Sequence, residues 1–125
     1  MHMDMYREVI LDHYKHPHHF GTLSKKSAAA TLYNTSCGDT ITMELLIDEK
    51  SKKIVDIKFT GSGCAISMAS ASMLTDELIE KPAEKAKKMK TEDIIKLLGT
   101  TLTPSRVKCA VLPLEVIQKA MNNTV

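Results

Sequence analysis

Two stretches of alternating hydrophobic and polar residues in the middle of the chain constrain the fold most strongly. The hydrophobic positions are Ile41, Met43, Leu45 and Ile47 in residues 40–48, with one slip at Leu46, and Val55, Ile57 and Phe59 in residues 54–60. Because successive side chains of a strand point to opposite faces, each stretch predicts a half-buried β-strand. With a polar loop at 49–53 and a short strand at 30–33, we expect a three-stranded antiparallel sheet with one solvated face.

Helical patterns lie on both sides of the predicted strands. Residues 4–16 predict a helix that Pro17 ends, and its helically spaced apolar-face residues are Tyr6, Val9, Ile10 and His13. Further helices are predicted over 65–80, 83–90 and 91–98. Because proline removes a helical hydrogen bond, the last helix is expected to begin near Leu112 or Pro113, with Cys109 on the preceding turn. The predicted class is α+β, with the N-terminal helix first and the helices packed on one face of the sheet.

Length and composition narrow the class of protein. The 125 residues fit one domain, spanning 1–125, because this is the commonest domain size. A net charge of +2 with no Trp, three Tyr and two Phe argues against nucleic-acid binding. Without a long apolar run or a secretory signal, neither a membrane span nor export is expected. We therefore expect a cytoplasmic protein.

The three cysteines lie at the ends of predicted elements, where functional sites are usually built. Cys37 lies between two strands, Cys64 between the last strand and the main helix, and Cys109 close to the last helix. An odd number of cysteines without a secretory signal argues against a disulfide framework. Reduced thiols that fill the core, bind a metal or react are the remaining alternatives.

The neighbours of the cysteines favour a site. Free amides and the helix dipole at a helix N-terminus favour the thiolate of Cys64, and Asp39 can project to the same side of an extended segment as Cys37. Arg106 and Lys108 place positive charge beside Cys109. Three thiolates and one carboxylate suffice for tetrahedral zinc or for iron–sulfur chemistry. The cysteine spacings match no general metal motif, so packing as buried hydrophobic residues stays an alternative.

Three segments resemble the U-type iron–sulfur cluster assembly proteins, the family of IscU, SufU and the NifU N-terminal domain. They are Cys-Gly-Asp at 37–39, Gly-Ser-Gly-Cys-Ala-Ile-Ser-Met-Ala-Ser-Ala-Ser at 61–72 and Arg-Val-Lys-Cys-Ala at 106–110. The segment from Tyr6 to Gly21 also looks like the family's first helix and its exit, so the resemblance covers nearly the whole chain.

The resemblance implies that the three cysteines converge at one exposed tip. There Cys37, Cys64 and Cys109 would accept sulfur from a cysteine desulfurase or hold a transient cluster, expected to be 2Fe–2S. Asp39 would complete the ligand set and keep the cluster labile, and zinc would occupy the same position. The first sulfur acceptor is expected to be Cys109 or Cys37, on the more mobile segments.

Some features of the sequence are typical of scaffold members of the family and others of sulfur carriers. Neither kind of protein is a classical enzyme. Lys108 stands where the IscU branch has histidine, and Arg106 resembles a SufU residue implicated in desulfurase docking. The interval between Cys64 and Cys109 is too short for the SufU insertion. The main interpretation is a scaffold that passes its cluster to apo-proteins or carriers. The alternative is a zinc-bound sulfur acceptor that activates a desulfurase and passes sulfur to another scaffold.

The sequence disfavours two other kinds of protein. A thiol redox enzyme is disfavoured because no Cys-x-x-Cys pair exists. A purely structural zinc domain would unfold on chelation, whereas a core of the expected size should survive it. His16, His18 and His19 are expected to be solvated at the end of the first helix, and His13 to be a packing residue.

Overall fold

The computed structural model describes residues 2–35 and 38–122 and confirms the predicted α+β class. The elements, in chain order, are α1 (His2–Lys15), β1 (Ala28–Asn34), β2 (Asp39–Ile47), β3 (Ile54–Ser62), α2 (Ala65–Leu78), α3 (Ala83–Lys88), α4 (Thr91–Leu98) and α5 (Pro104–Asn122). The three strands form one antiparallel sheet in the order β1-β2-β3. Within the described ranges, the helices are all too short or too polar to cross a membrane.

The sheet has one buried and one solvated face, as its alternation predicts. Ile41, Met43 and Leu45 on β2 are fully buried, while Thr31 and Thr42 share a 2.7 Å hydrogen bond on the other face. The inward prediction for Val55 was wrong, because its side chain is 50% exposed. A register shift at Leu46/Ile47 pairs Ile47 with Ile54. The shift turns Ile54 inward in place of Val55, since an irregularity of one residue changes which face a side chain occupies.

Helices α2 and α5 cover the buried face and pack against each other. Small residues of α2, among them Ala69 and Ala71, are completely buried and allow close approach of the backbones. The hydroxyl of Ser70 donates a 2.6 Å hydrogen bond to the carbonyl of Ala110 on α5. Because both ends of this hydrogen bond are buried, it fixes the position of the first turns of α5 relative to α2.

The last helix begins at Pro104, so the prediction that it begins near Leu112 or Pro113 was wrong. Proline is favoured in the first turn of a helix, and Thr103 before it accepts a 2.9 Å hydrogen bond from Val107 N–H. The internal proline costs about 3 kcal/mol. Burial of an aliphatic side chain contributes about 1.5–3 kcal/mol, and the residues buried around Pro113 are Leu112, Leu114, Val116 and Ile117. Packing therefore outweighs the missing hydrogen bond.

Candidate functional site

Three residues from three separate elements meet at one end of the sheet. Asp39 begins β2, Cys64 immediately precedes α2, and Cys109 lies in the second turn of α5. Their ligand atoms, a carboxylate oxygen and two Sγ atoms, all lie within 4.8 Å of one another. The continuous path of α5 from Pro104 places Cys109 here on a helix, not on a preceding loop.

Asp39 is tied directly to Cys64. Its Oδ1 accepts a 3.0 Å hydrogen bond from the backbone N–H of Cys64, and its Oδ2 lies 3.6 Å from Cys64 Sγ. Asp39 is only 2% exposed, and a buried carboxylate needs such donors. Because a backbone amide holds the carboxylate, its position is set by the fold and not by the thiol side chain.

Ser67 is a further contributor that the sequence analysis did not identify. This buried hydroxyl donates to the carbonyl of Cys64 at 3.1 Å and lies 3.7 Å from Cys64 Sγ. It thereby steadies the exposed cysteine at the start of α2. The available signal was its position three residues after Cys64, which brings a side chain back to the first turn of a helix.

Two site residues occupy the space that a side chain at Gly63 would need. A Cβ at this position would lie 2.6 Å from Ser67 Oγ and 2.8 Å from Asp39 Oδ1. These separations are shorter than van der Waals contact, and Asp39 is too enclosed to move aside freely. Glycine is therefore required here to let the carboxylate reach Cys64.

Replacing Gly63 with alanine should displace Asp39 from the Cys64 amide. A hydrogen bond to a charged group contributes about 1.5–3 kcal/mol, so the free energy of unfolding should fall by about 2 kcal/mol. The affinity of the thiols for Zn²⁺ should fall about tenfold or more, as when other groups that orient metal ligands are lost. Denaturant unfolding and a zinc competition titration measure these effects. Ser62→Ala, at an exposed neighbouring position, is the control, and equal behaviour of both variants would contradict this role of Gly63.

Cys109 and its charged neighbours differ in exposure. Cys109 is 6% exposed, whereas Arg106 and Lys108 are exposed. Cys109 lies within α5, so the prediction that placed it on the turn before the last helix was wrong. Of the two cysteines in the described part of the chain, Cys64 is the more accessible to a partner.

An open cleft of about 830 Å³ adjoins the two cysteines. Apolar side chains of α1, Ile10 and Leu11, form part of its wall, and Arg106 and Lys108 line it as well. The site therefore opens onto a surface that is apolar with a basic rim. Such a surface is suited to contact with another macromolecule.

Cys37, the third predicted ligand, lies outside the described residues. The three groups present nevertheless form a suitable donor set for a metal, since zinc accepts thiolate sulfur and carboxylate oxygen in tetrahedral geometry. Iron–sulfur clusters are held chiefly by thiolates. An oxygen ligand among soft sulfur ligands is the harder and more readily exchanged member. The arrangement fits the binding of zinc, or of an iron–sulfur cluster as cargo.

Known proteins share both the sequence and the fold. A model of the NifU-like N terminal domain matches residues 5–124. The zinc-dependent sulfurtransferase SufU of Bacillus subtilis is 36% identical over 134 residues, which cover 94% of this chain and 89% of that protein. The iron–sulfur cluster assembly scaffold protein IscU of Streptococcus pyogenes serotype M1 is 35% identical over 139 residues, covering 96% and 84%. The chain belongs to the NifU-like N-terminal domain family.

Solved structures agree with this assignment. The SufU protein of Fervidobacterium islandicum AW-1 superposes with a TM-score of 0.77 at 31% identity, covering 91% of this chain and 94% of that one. The N-terminal part of a NifU-like protein from Brucella abortus gives a TM-score of 0.79 at 18% identity, covering 99% and 97%. At that lower identity the likeness concerns the fold alone.

Proposed function

We propose that this chain, as a single domain over 1–125, accepts sulfur from a cysteine desulfurase and assembles a transient iron–sulfur cluster. The observation that carries the proposal is the convergence of Asp39, Cys64 and Cys109 beside an open cleft. Cys37 is proposed as the third thiol ligand. The finished cluster, proposed to be 2Fe–2S, would pass to apo-proteins or carrier proteins. The cytoplasm is the proposed location, because thiols stay reduced there.

Sulfur acceptance is a thiol exchange that needs no added oxidant. A thiolate of the site attacks the outer sulfur of the persulfide on the desulfurase and forms a new S–S bond. The original S–S bond breaks, and the desulfurase cysteine leaves as a thiolate. The proton of the persulfide stays on the transferred sulfur, so atoms and electrons balance. Cys64 is the more exposed thiol of the described pair, whereas Cys109 is 6% exposed and lines the cleft.

Arg106 and Lys108 are proposed to guide the desulfurase to the cleft. Both are exposed cations on the first turns of α5, and both line the cleft beside the cysteines. Exposed charge of one sign steers an oppositely charged partner and raises its association rate. The desulfurase surface that presents the persulfide is therefore proposed to be acidic.

Asp39 is proposed to be the ligand that keeps the bound cluster labile. Its carboxylate lies 3.6 Å from Cys64 Sγ in a buried position. Two like charges about 4 Å apart repel by about 4 kcal/mol at an effective dielectric constant of about 20. Asp39 therefore weakens the hold of the thiolates on an anionic cluster while supplying an exchangeable oxygen.

Replacing Asp39 with alanine should slow the loss of a reconstituted cluster by about tenfold. This change corresponds to about 1.4 kcal/mol, a fraction of the repulsion that the substitution removes. Asp39→Asn removes the charge but keeps an oxygen that can accept from Cys64 N–H, so it separates charge from shape. The decay of the cluster absorbance under a chelator measures the rate. Unchanged release in both variants would rule out this role of the carboxylate.

The second candidate is a zinc-bound sulfur carrier that activates a desulfurase and passes sulfur to another scaffold. It is supported by the 36% identity to a protein named a zinc-dependent sulfurtransferase and by Lys108 beside Cys109. Asp39, Cys64 and Cys109, with Cys37, would then hold the zinc. A bound zinc ion favours deprotonated thiols. Asp39, as the exchangeable ligand, would then free a position when sulfur arrives.

Anaerobic reconstitution with iron, cysteine and a desulfurase tests the scaffold. We expect a coloured protein with bound iron and acid-labile sulfide, and loss of both in Cys64→Ser. A colourless protein that keeps zinc and carries persulfide would instead support the carrier. Ser62→Ala, at the exposed end of β3 two residues before Cys64, should behave like the unmodified chain.

A further inference from the structure

A second group of metal-binding side chains joins α1 to α2. His13 lies near the end of α1, His18 in the loop that follows, and Asp76 in the last turns of α2. Each offers one ligand atom, and these three atoms lie within 4.8 Å of one another. None of them belongs to the cysteine site.

The contacts within this His–Asp cluster differ from the solvated loop that the sequence predicts. His18 Nδ1 lies 2.6 Å from Asp76 Oδ2, and the rings of His13 and His18 have centroids 4.5 Å apart. His19 is likewise engaged, at 3.0 Å from Thr75 Oγ1. Two imidazoles and a carboxylate are thus gathered on one side of α2.

Ser72 on α2 contacts two of these residues. Its hydroxyl is fully buried, accepts a 2.7 Å hydrogen bond from His18 N–H and lies 2.7 Å from His13 Nδ1. The serine thereby holds the ring of His13 beside that of His18. Metal-bound histidines commonly have their second nitrogen anchored by such a neighbour, which fixes the ring.

We propose that His13, His18 and Asp76 form a second binding site, for a divalent transition-metal ion of the Zn²⁺ or Co²⁺ type. Zinc–nitrogen and zinc–oxygen bonds of about 2.0–2.2 Å place tetrahedral ligands about 3.3–3.6 Å apart. The side chains of His18 and Asp76 are 47% and 40% exposed, so the pair can separate from its 2.6 Å contact to admit an ion. Water completes the coordination, and the bound ion ties the end of α1 to α2.

Titration of the complete chain with Co²⁺ under anaerobic conditions tests the second site. Cobalt bound by cysteine gives intense thiolate-to-metal absorption, whereas a site of nitrogen and oxygen ligands gives weak ligand-field bands alone. We expect part of the bound cobalt to show weak ligand-field bands without thiolate absorption; this is the thiolate-free component. It should persist in Cys64→Ser, which makes it independent of the proposed cluster chemistry. His18→Asn and Asp76→Asn should each weaken that component about 100-fold or more, since even neighbouring groups contribute 10–100-fold.

His16→Asn is the matched control, because this exposed histidine lies two residues from His18 and outside the cluster. It should leave the thiolate-free component unchanged. Equal weakening by His16→Asn and His18→Asn would reveal nonspecific surface binding and overturn the proposal. A titration of the unmodified chain without any thiolate-free component would overturn it as well. Circular dichroism spectra of each variant verify that the substitution leaves the fold intact.

Discussion

Replacing Cys64 with serine should lower the affinity of the cysteine site for Zn²⁺ more than 100-fold and leave the fold intact. Loss of a group that merely orients a ligand lowers metal affinity about 10–100-fold, and here a ligand itself is lost. The serine hydroxyl stays protonated at neutral pH and binds zinc poorly compared with a thiolate. The fold should persist because Cys64 is exposed and holds Asp39 through its backbone N–H, which serine retains.

Competition with a chromophoric chelator measures the affinity, and circular dichroism measures the fold. Ser62→Ala, two residues earlier and exposed, should bind zinc like the unmodified chain. Equal zinc affinities of Cys64→Ser and Ser62→Ala would show that Cys64 is not a ligand. Zinc loss accompanied by unfolding of Cys64→Ser would instead indicate a structural zinc site.

Replacing Gly61 with alanine should lower the free energy of unfolding by about 3 kcal/mol or more. A Cβ here would lie 2.2 Å from the carbonyl oxygen of Thr40 and 3.1 Å from the Cα of Ile41, both on the paired strand. Overpacking in a rigid environment costs about 1–3 kcal/mol. The backbone φ of +158° adds strain for any residue with a side chain. The sheet must therefore open next to Asp39 to admit the methyl group.

Gly38→Ala provides the matched comparison. Gly38 also has a positive φ, +73°, but a Cβ there would meet no atom of the described residues within 4 Å. Only the left-handed backbone penalty of about 1–2 kcal/mol should remain. Urea unfolding of both variants measures the difference, and an equal loss of stability would contradict the steric explanation for Gly61.

The sheet was predictable because its alternation reports burial directly. The side chains of Ile41, Met43 and Leu45 face the core, and no other local signal competes with that pattern. Val55 was assigned wrongly because the register shift at Leu46/Ile47 depends on strand pairing, which a single strand does not encode. Alternation therefore locates strands better than it locates irregularities within them.

The start of α5 was mispredicted because a local rule outweighed a tertiary effect. Pro113 disfavours a helix interior by a known amount, whereas the compensating burial of Leu112 and Leu114 depends on α2 and the sheet. Thr103 and Pro104 did carry a usable signal for the helix start. When a helix-start signal precedes a proline by about two turns, that proline is weaker evidence that the helix begins there.

For the candidate site, the sequence predicted the identity of the ligands but not the contacts that hold them in place. Cys64 and Asp39 stand out through their neighbours, but the hydrogen bond between them joins residues 25 apart in the chain. The packing of Ser67 and Asp39 against Gly63 is likewise a property of the folded backbone. His18 and Asp76 lie 58 residues apart and share no local pattern, so their contact required the structure.

Acceptance of sulfur is the step common to the scaffold and the carrier, so detecting the transferred sulfur tests both functions at once. The measurement is peptide mass spectrometry of the unmodified chain after anaerobic incubation with a cysteine desulfurase and cysteine. We expect the mass of at least one extra sulfur atom on a peptide containing Cys37, Cys64 or Cys109, and its absence when cysteine is omitted. A desulfurase that carries persulfide itself, beside a chain with no added sulfur on any cysteine, would contradict both functions.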